Sequence, residues 1–500
     1  MRSLMRRLPL AAWAIVLVAF LHGGAWSVLT PSFQGADEIA HWGYVQYVGE
    51  TAKTPDRSSR FAEPAADSLA VLDGMPWSID GQPSWSEEAD RRTDRTVDRL
   101  DDDRDNRVDK DGAAYQASNP PLYAYAMAVP YRAAGWLGGD VLDRLLAVRL
   151  ASSALGALAV LFVLLFLREL FPRHRLAWYA GGLAVALQPV FGWLIGSVNN
   201  DIPVLVAGAA LLWLVTRTYR RGLSPGLAVG LGAAVSVGLL SKVSAYGLVA
   251  VLAWSLVFIV GRERHRWRTV VPLAGLALAV AVVPLLLVDL VREVGVATPT
   301  PDAGGAVREG ATATVADPAA AELSRSPRDF LSYLWQFWLP RLPFMDDQFS
   351  TYPTYPVWET YIQAFAGRFG WFSYGFSPEA SRGMLVVLAA LLAGTGVALW
   401  RRRELVRARF GLVVALVGGF VGYAVMVNLR GWQYRLDTRG ENFEQVRYLF
   451  PMIGLYGALV AAALLALPAR WRRTAAVLAV LAAVLHVLAS WGVTLERYYM

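Results

Sequence analysis

Asp37 and Glu38 stand side by side, four and three residues ahead of His41, in the stretch GADEIAHWGYVQYVGE (35–50). If a helix begins near residue 37, those spacings put all three side chains on one face. A carboxylate there can take a proton from a hydroxyl nucleophile. His41 can orient that carboxylate or touch a ligand, and a polar capping role at a membrane edge stays open for it. Further polar groups punctuate the chain: Asn199, Asn200 and Asp201 in SVNNDIP, Lys242 in LLSKVSAY, and Arg447 with Tyr448 in EQVRYLFP. Lys242 is one of three lysines, with Lys53 and Lys110; the other positive charges are arginines. A lysine and an arginine can hold a phosphate and stabilise it as it leaves with growing negative charge. Taken singly, any one of them can be a snorkelling anchor or a helix–helix salt bridge, although the Asp37–Glu38 pair favours a functional role even alone.

The elements that must position these residues follow from composition. A chain of 500 residues that is 55% hydrophobic, with mean hydropathy +0.38, is too apolar for an ordinary soluble enzyme. Runs such as LAAWAIVLVAFLHGGAWSVL can cross ~30 Å of hydrocarbon at ~1.5 Å per residue. The fold class expected is an all-α polytopic membrane protein. Cysteine is absent, which excludes disulfides and cysteine-based metal or redox sites. The net charge of +7 is no nucleic-acid signal, because the arginines fall in short clusters between apolar runs.

Those clusters (1–7, 168–175, 217–221, 262–268, 401–409 and 470–473) read as cytoplasmic. The chain must leave and return between them, which gives about eleven crossings: 8–28, 145–167, 176–196, 202–216, 225–240, 245–261, 268–290, 380–400, 409–427, 446–467 and 474–494. The first is read as a retained anchor, with a signal peptide as the alternative, since it lacks a convincing small-residue cleavage site and the acidic motif follows at once. The expected organisation is helix 1 in 1–29, an extracytoplasmic loop in 30–144, helices 2–7 in 145–290, a second large loop in 291–379, and helices 8–11 in 380–500. Parity makes the proline-bearing stretch 119–138 a re-entrant or interfacial helix; a full span with a compensating missed crossing is the alternative.

Within the first loop, 86–112 is a dense mixed-charge run. Its Asp101, Asp103, Asp105 and Asp109 echo a calcium loop, but Asn106 and Gly112 occupy the positions of the turn glycine and the bidentate glutamate, so a solvated face is expected. The second loop opens with a low-hydrophobicity linker and turns aromatic in FLSYLWQFWLPRLPF and TYPTYPVWETYIQAFAGRFGWFSYGF. That segment is either an interfacial belt or a wall for an amphipathic ligand.

Under this topology the acidic and basic candidates fall on one outer membrane edge. A carboxylate base, two phosphate-holding cations and apolar walls together suit glycosyl transfer from a lipid-phosphate sugar. The sequence resembles the GT-C superfamily of polyprenyl-phosphate-sugar-dependent membrane glycosyltransferases, and within it a bacterial multipass branch. The likeness rests on ADEIAHWGYVQY (36–47), SNPPLYAY (118–125), SVNNDIP (197–203) and EQVRYLFP (444–451), in that order along nearly the whole chain. Ile39 departs from the usual proline after the acidic pair, and Asn119 from the usual residue before Pro-Pro.

The resemblance implies a GT-C-like bundle and an inverting hexosyl- or pentosyltransferase with Asp37 as general base. It implies that Glu38, His41, Asn199, Asn200 and Asp201 contact the sugar or acceptor or tune the base, and that Lys242 and Arg447, with Tyr448, hold the donor phosphate. The donor would be a polyprenyl-phosphate sugar, and the acceptor an envelope glycan, lipid or protein. No cofactor or divalent metal is required on this reading, and no nucleic acid is a partner. The setting expected is the inner membrane of a high-GC bacterium, with the site on its extracytoplasmic face. A transporter or flippase of lipid-linked intermediates is the competing class, but no inverted repeat is evident and the charges sit at one face. A non-catalytic scaffold is the third.

Overall fold

The computed structural model describes residues 8–55, 60–61, 112–113, 119–293, 326–349, 356–370, 374–438 and 443–500, with isolated positions between 88 and 107. The calcium-like aspartates Asp101, Asp103, Asp105 and Asp109, and the linker 294–325, lie outside the described residues.

The chain is a helical bundle. Its helices are α1 (Leu10–Leu29), α2 (Glu38–Thr51), α3 (Leu122–Trp136), α4 (Val141–Leu170), α5 (Arg175–Ala186), α6 (Pro189–Ile195), α7 (Asp201–Arg221), α8 (Pro225–Leu239), α9 (Tyr246–Arg262), α10 (Trp267–Glu293), α11 (Pro327–Trp338), α12 (Ala364–Gly367), α13 (Pro378–Arg401), α14 (Arg403–Ala408), α15 (Phe410–Thr438), α16 (Gly454–Ala466) and α17 (Ala469–Tyr499). Among the described residues, strands are confined to two antiparallel two-residue pairs, β1 (Arg60–Phe61) with β2 (Gly112–Ala113), and β3 (Arg368–Phe369) with β4 (Tyr374–Gly375).

Among the described residues, eight helices are long and apolar enough to cross a membrane, or ten spans if each of two bent pairs counts as one; α8 is a shorter apolar helix. All eleven stretches expected to cross are thus helical. One bent pair is α5–α6, turned by 60° at Gln188, whose side chain caps α6 by accepting from the Phe191 N–H (2.6 Å) just ahead of Pro189. The other joins the 3-10 turn Val446–Met452 to α16 at 68°. The 15-residue α3 carries Pro130 and is not among these spans. It packs on α2 and α4, with Val129, Trp136 and Leu137 exposed.

The bundle is organised around α7. Of its apolar stretch 89% is buried, against 6% for α13. It lies against α4, α8 and the 3-10 turn. That last contact requires glycine at 208: a Cβ there would fall inside van der Waals distance of the Pro451 carbonyl oxygen. Close backbone approach therefore seats the 446–452 turn on α7, one end of which begins with Asp201.

Candidate active site

Asp37 is the residue before α2, and its backbone is left-handed (φ 54°), a conformation that costs a non-glycine residue roughly 1 kcal/mol or more. Aspartate is a favoured helix cap, yet this side chain makes no capping bond. It instead accepts a hydrogen bond and ion pair from Arg447 Nη2. Arg447 belongs to the 3-10 turn on α7, and its Nε lies 3.5 Å from Asp201 Oδ2. Asp201 Oδ1 in turn takes Lys242 Nζ at 2.6 Å, from the turn between α8 and α9. Tyr448 closes the group: its hydroxyl accepts from Arg447 Nη2 at 3.3 Å, and Lys242 Nζ stands 5.1 Å from its ring centre. Phe443 stacks on Tyr448, with ring centres 4.7 Å apart.

Asp37, Asp201, Lys242, Arg447 and Tyr448, scattered over four chain segments, thus form one alternating chain of charge. Its exposure is uneven: the Asp37 side chain is 20% exposed and that of Arg447 only 3%. Arg447 Nε and Nη1 are buried and make no hydrogen bond, and neither does Asp201 Oδ2. Buried guanidinium N–H groups without acceptors are costly to the free protein and suit an anion supplied from outside. Burial pulls the Lys242 ammonium below its ordinary pKa, while Asp201 pushes it the other way. Beside this group a cavity of about 20 Å³, enough for one water, is walled by Asp201, Ser244, Tyr423, Arg430 and Tyr448 among others.

The remaining expected site residues divide. His41 lies next to the charge chain, fully buried; burial and then Lys242 hold its pKa well down, so the ring is neutral, and its Nε2 has no hydrogen-bond partner. Asn200 donates to the Ser241 carbonyl at 3.4 Å, and its Oδ1 is unbonded. Asn199 is a structural residue: its amide donates to Ala36 O (2.8 Å), its Oδ1 accepts from the Asp201 N–H (2.8 Å), and its N–H donates to the Tyr123 hydroxyl (2.9 Å).

Glu38 sits beneath the site and does not face it. Its carboxylate is bidentate to Arg149, at 2.8 and 2.5 Å, and also accepts from Val198 N–H (2.9 Å) and Gly35 N–H (3.1 Å). With four donors on two oxygens it has no capacity left for an acceptor hydroxyl. The shared face expected for Asp37, Glu38 and His41 fails because Asp37 is left-handed and lies outside the helix.

Three residues outside the expected set matter here. Arg149 is a charge inside the apolar run of α4, which was itself a signal. Tyr123 supports Asn199. Glu444 is buried just ahead of the 446–452 turn, where Asn428 donates to it at 3.4 Å and burial pushes its pKa up to about 8. Among the described residues no group of three or more His, Asp or Glu side chains is placed to hold a metal ion.

The aromatic segment splits into two roles. Tyr333, Phe337, Phe349 and Tyr361 pack into the core with Trp432. Leu331, Trp335 and Phe344 face the other way and, with Trp338, Phe420 and Val421, line a groove of about 1100 Å³ between α11 and α15. Trp338 donates to Asn428 Oδ1 at 2.8 Å, so the groove wall and the Glu444 region share one residue.

A family model described as Predicted membrane protein (DUF2142) matches residues 20–456. The chain belongs to that family. No curated protein sequence matches it. Among solved structures it is similar to the Archaeoglobus fulgidus oligosaccharyltransferase in the apo form, at 14% identity and TM-score 0.48, with 98% of this chain and 56% of that one covered. It is also similar to ArnT from Cupriavidus metallidurans bound to undecaprenyl phosphate, at 16% identity and TM-score 0.47, over 95% and 70%. A third is the archaeal oligosaccharyltransferase AglB in complex with an inhibitory peptide and a dolichol-phosphate, at 13% identity and TM-score 0.49, over 98% and 56%. The chain therefore spans little more than half the length of the archaeal enzyme.

Proposed function

We propose that this protein is a membrane-embedded, inverting glycosyltransferase of the GT-C type, drawing its sugar from a polyprenyl-phosphate donor on the outer face of a bacterial inner membrane. The observation that carries the reading is the buried Arg447, whose Nη1 makes no hydrogen bond and whose Nε has only the 3.5 Å ion contact to Asp201, while it holds Asp37, a carboxylate that stays partly exposed. A donor phosphate bound by Arg447 and Lys242 competes with Asp37 for the guanidinium. Donor binding then releases the carboxylate toward the acceptor.

In the reaction Asp37 takes the proton of the acceptor hydroxyl as that oxygen bonds to the anomeric carbon. The bond from the anomeric carbon to the phosphate oxygen breaks. Its electron pair leaves with the polyprenyl phosphate, whose added charge Arg447 and Lys242 stabilise. One base and one displacement invert the anomeric centre. The groove between α11 and α15 supplies an apolar wall for the prenyl chain. The acceptor is an envelope glycan, lipid or protein, and the sugar a pentose or hexose.

The test pairs binding with turnover. Asp37→Asn should lower transfer from polyprenyl-phosphate sugars by at least ~10² while undecaprenyl phosphate still binds. Lys242→Ala and Arg447→Ala should weaken that binding as well as turnover. Full transfer by a folded Asp37→Asn protein would remove Asp37 as the base.

A further inference from the structure

We infer that Arg149 is a positioning residue for Asp37: through Glu38 it fixes the left-handed backbone that aims the Asp37 carboxylate at Arg447. The inference rests on the reading of Asp37 as the base, but its evidence is separate. Arg149 uses all three of its nitrogens. Nη1 donates to the carbonyls of Ser27 (2.9 Å) and Thr30 (2.8 Å), Nη2 to that of Pro31 (2.9 Å), and Nε and Nη2 to Glu38. One side chain of α4 thus fastens the C-terminal end of α1, the turn after it and the first residue of α2.

Glu38 extends the connection to Val198, directly before the Asn199–Asp201 segment. Both halves of the site, the Asp37 turn and the start of α7, therefore hang on one buried ion pair. A pair so fully hydrogen-bonded contributes little net stability against an apolar replacement, but it fixes geometry. The geometry it fixes is a strained one. Phe33 and Asp37 both have positive φ in the same short turn. The turn keeps that shape because the residues around it are held: Gly35 N–H by Glu38, Ala36 O by Asn199, and Pro31 O by Arg149.

The chain has no cysteine, so Asp37→Cys places a single thiol beside Arg447. Its rate of modification against pH reports the thiol pKa without any need for transfer. Next to the guanidinium that pKa should fall below the ordinary ~8.5, and adding Arg447→Gln should restore it. Adding Arg149→Gln to Asp37→Cys should restore it too, with about a tenfold drop in thiolate at pH 7 for each unit recovered. If Arg149→Gln does not fold, Glu38→Gln with Arg149→Met is the substitute, since it leaves no unpaired charge and the introduced amide oxygen can still accept from the Val198 N–H. A folded variant that loses the Arg149 connection yet keeps the depressed thiol pKa overturns the inference and leaves the base assignment standing. Loss of the base assignment in the transfer assay would leave the thiol shift intact.

Discussion

At the scale of single residues, the site is a contest between burial and charge. Glu444 shows it most simply. The residue is 4% exposed and its carboxyl faces Asn428 and Gly431 of α15, with no cation paired to it among the described residues; burial raises its pKa to about 8. The folded protein therefore holds a proton on Glu444 between the unfolded pKa, ~4.3, and about 8, where the unfolded chain does not. Stability from this group is full below the lower value and is lost as pH rises through that window. Glu444→Gln should abolish that part of the pH dependence. The variant should match the parent near pH 4 and exceed it by several degrees in melting temperature near pH 9, since a pKa window from ~4.3 to about 8 is worth up to ~5 kcal/mol. Equal pH profiles for the two proteins would show that Glu444 ionises normally. Residue types and spacing made Asp37, Asp201, Lys242, Arg447 and Tyr448 legible in the sequence, because unlike charges at successive helix ends are hard to explain otherwise. They could not separate Asp37 from Glu38. That distinction depends on Arg149, 111 residues away, and on a left-handed turn that no local pattern announces.

At the scale of elements, apolar run length told most of the story. The eleven runs are helices because each can satisfy its backbone internally. What it missed are the breaks: the chain bends at Gln188 between α5 and α6, and residues 446–452 form a 3-10 turn before α16, so one expected crossing begins with a compact turn. That turn carries Arg447, and its seat on α7 depends on Gly208. Gly208→Ala drives a methyl into the Pro451 carbonyl, so the turn must lift away from α7 and carry Arg447 off Asp201. Overpacking of this kind costs ~1–3 kcal/mol. The expected outcome is a lower melting temperature together with weaker undecaprenyl phosphate binding, although no charged residue has changed. Unaltered binding in Gly208→Ala would mean that Arg447 does not depend on this contact for its place.

At the scale of the whole molecule, α7 sets the axis. Asp201 opens it, and Arg217, Arg220 and Arg221 close it, converging on Glu169 at the far end of α4 at 2.7–3.3 Å. At ~1.5 Å per residue the two ends are about 25–30 Å apart, the thickness of a bilayer's hydrocarbon core. The charge chain around Asp37 and the arginine clusters therefore cannot share a membrane face if α7 spans. On the proposed topology, arginine bias puts Arg217–Arg221 inside, and the same rule puts the neighbouring Arg264 inside as well. The same proposal puts Glu88 and Arg328 outside, with the site. The cysteine-free background makes this directly measurable. A membrane-impermeant maleimide applied to intact cells should label Glu88→Cys and Arg328→Cys, and should label Arg264→Cys only after the membrane is opened. Labelling of Arg264→Cys in intact cells, with the other two silent, would invert the protein. The site would then face nucleotide sugars in the cytoplasm, and a lipid-phosphate donor would lose its rationale.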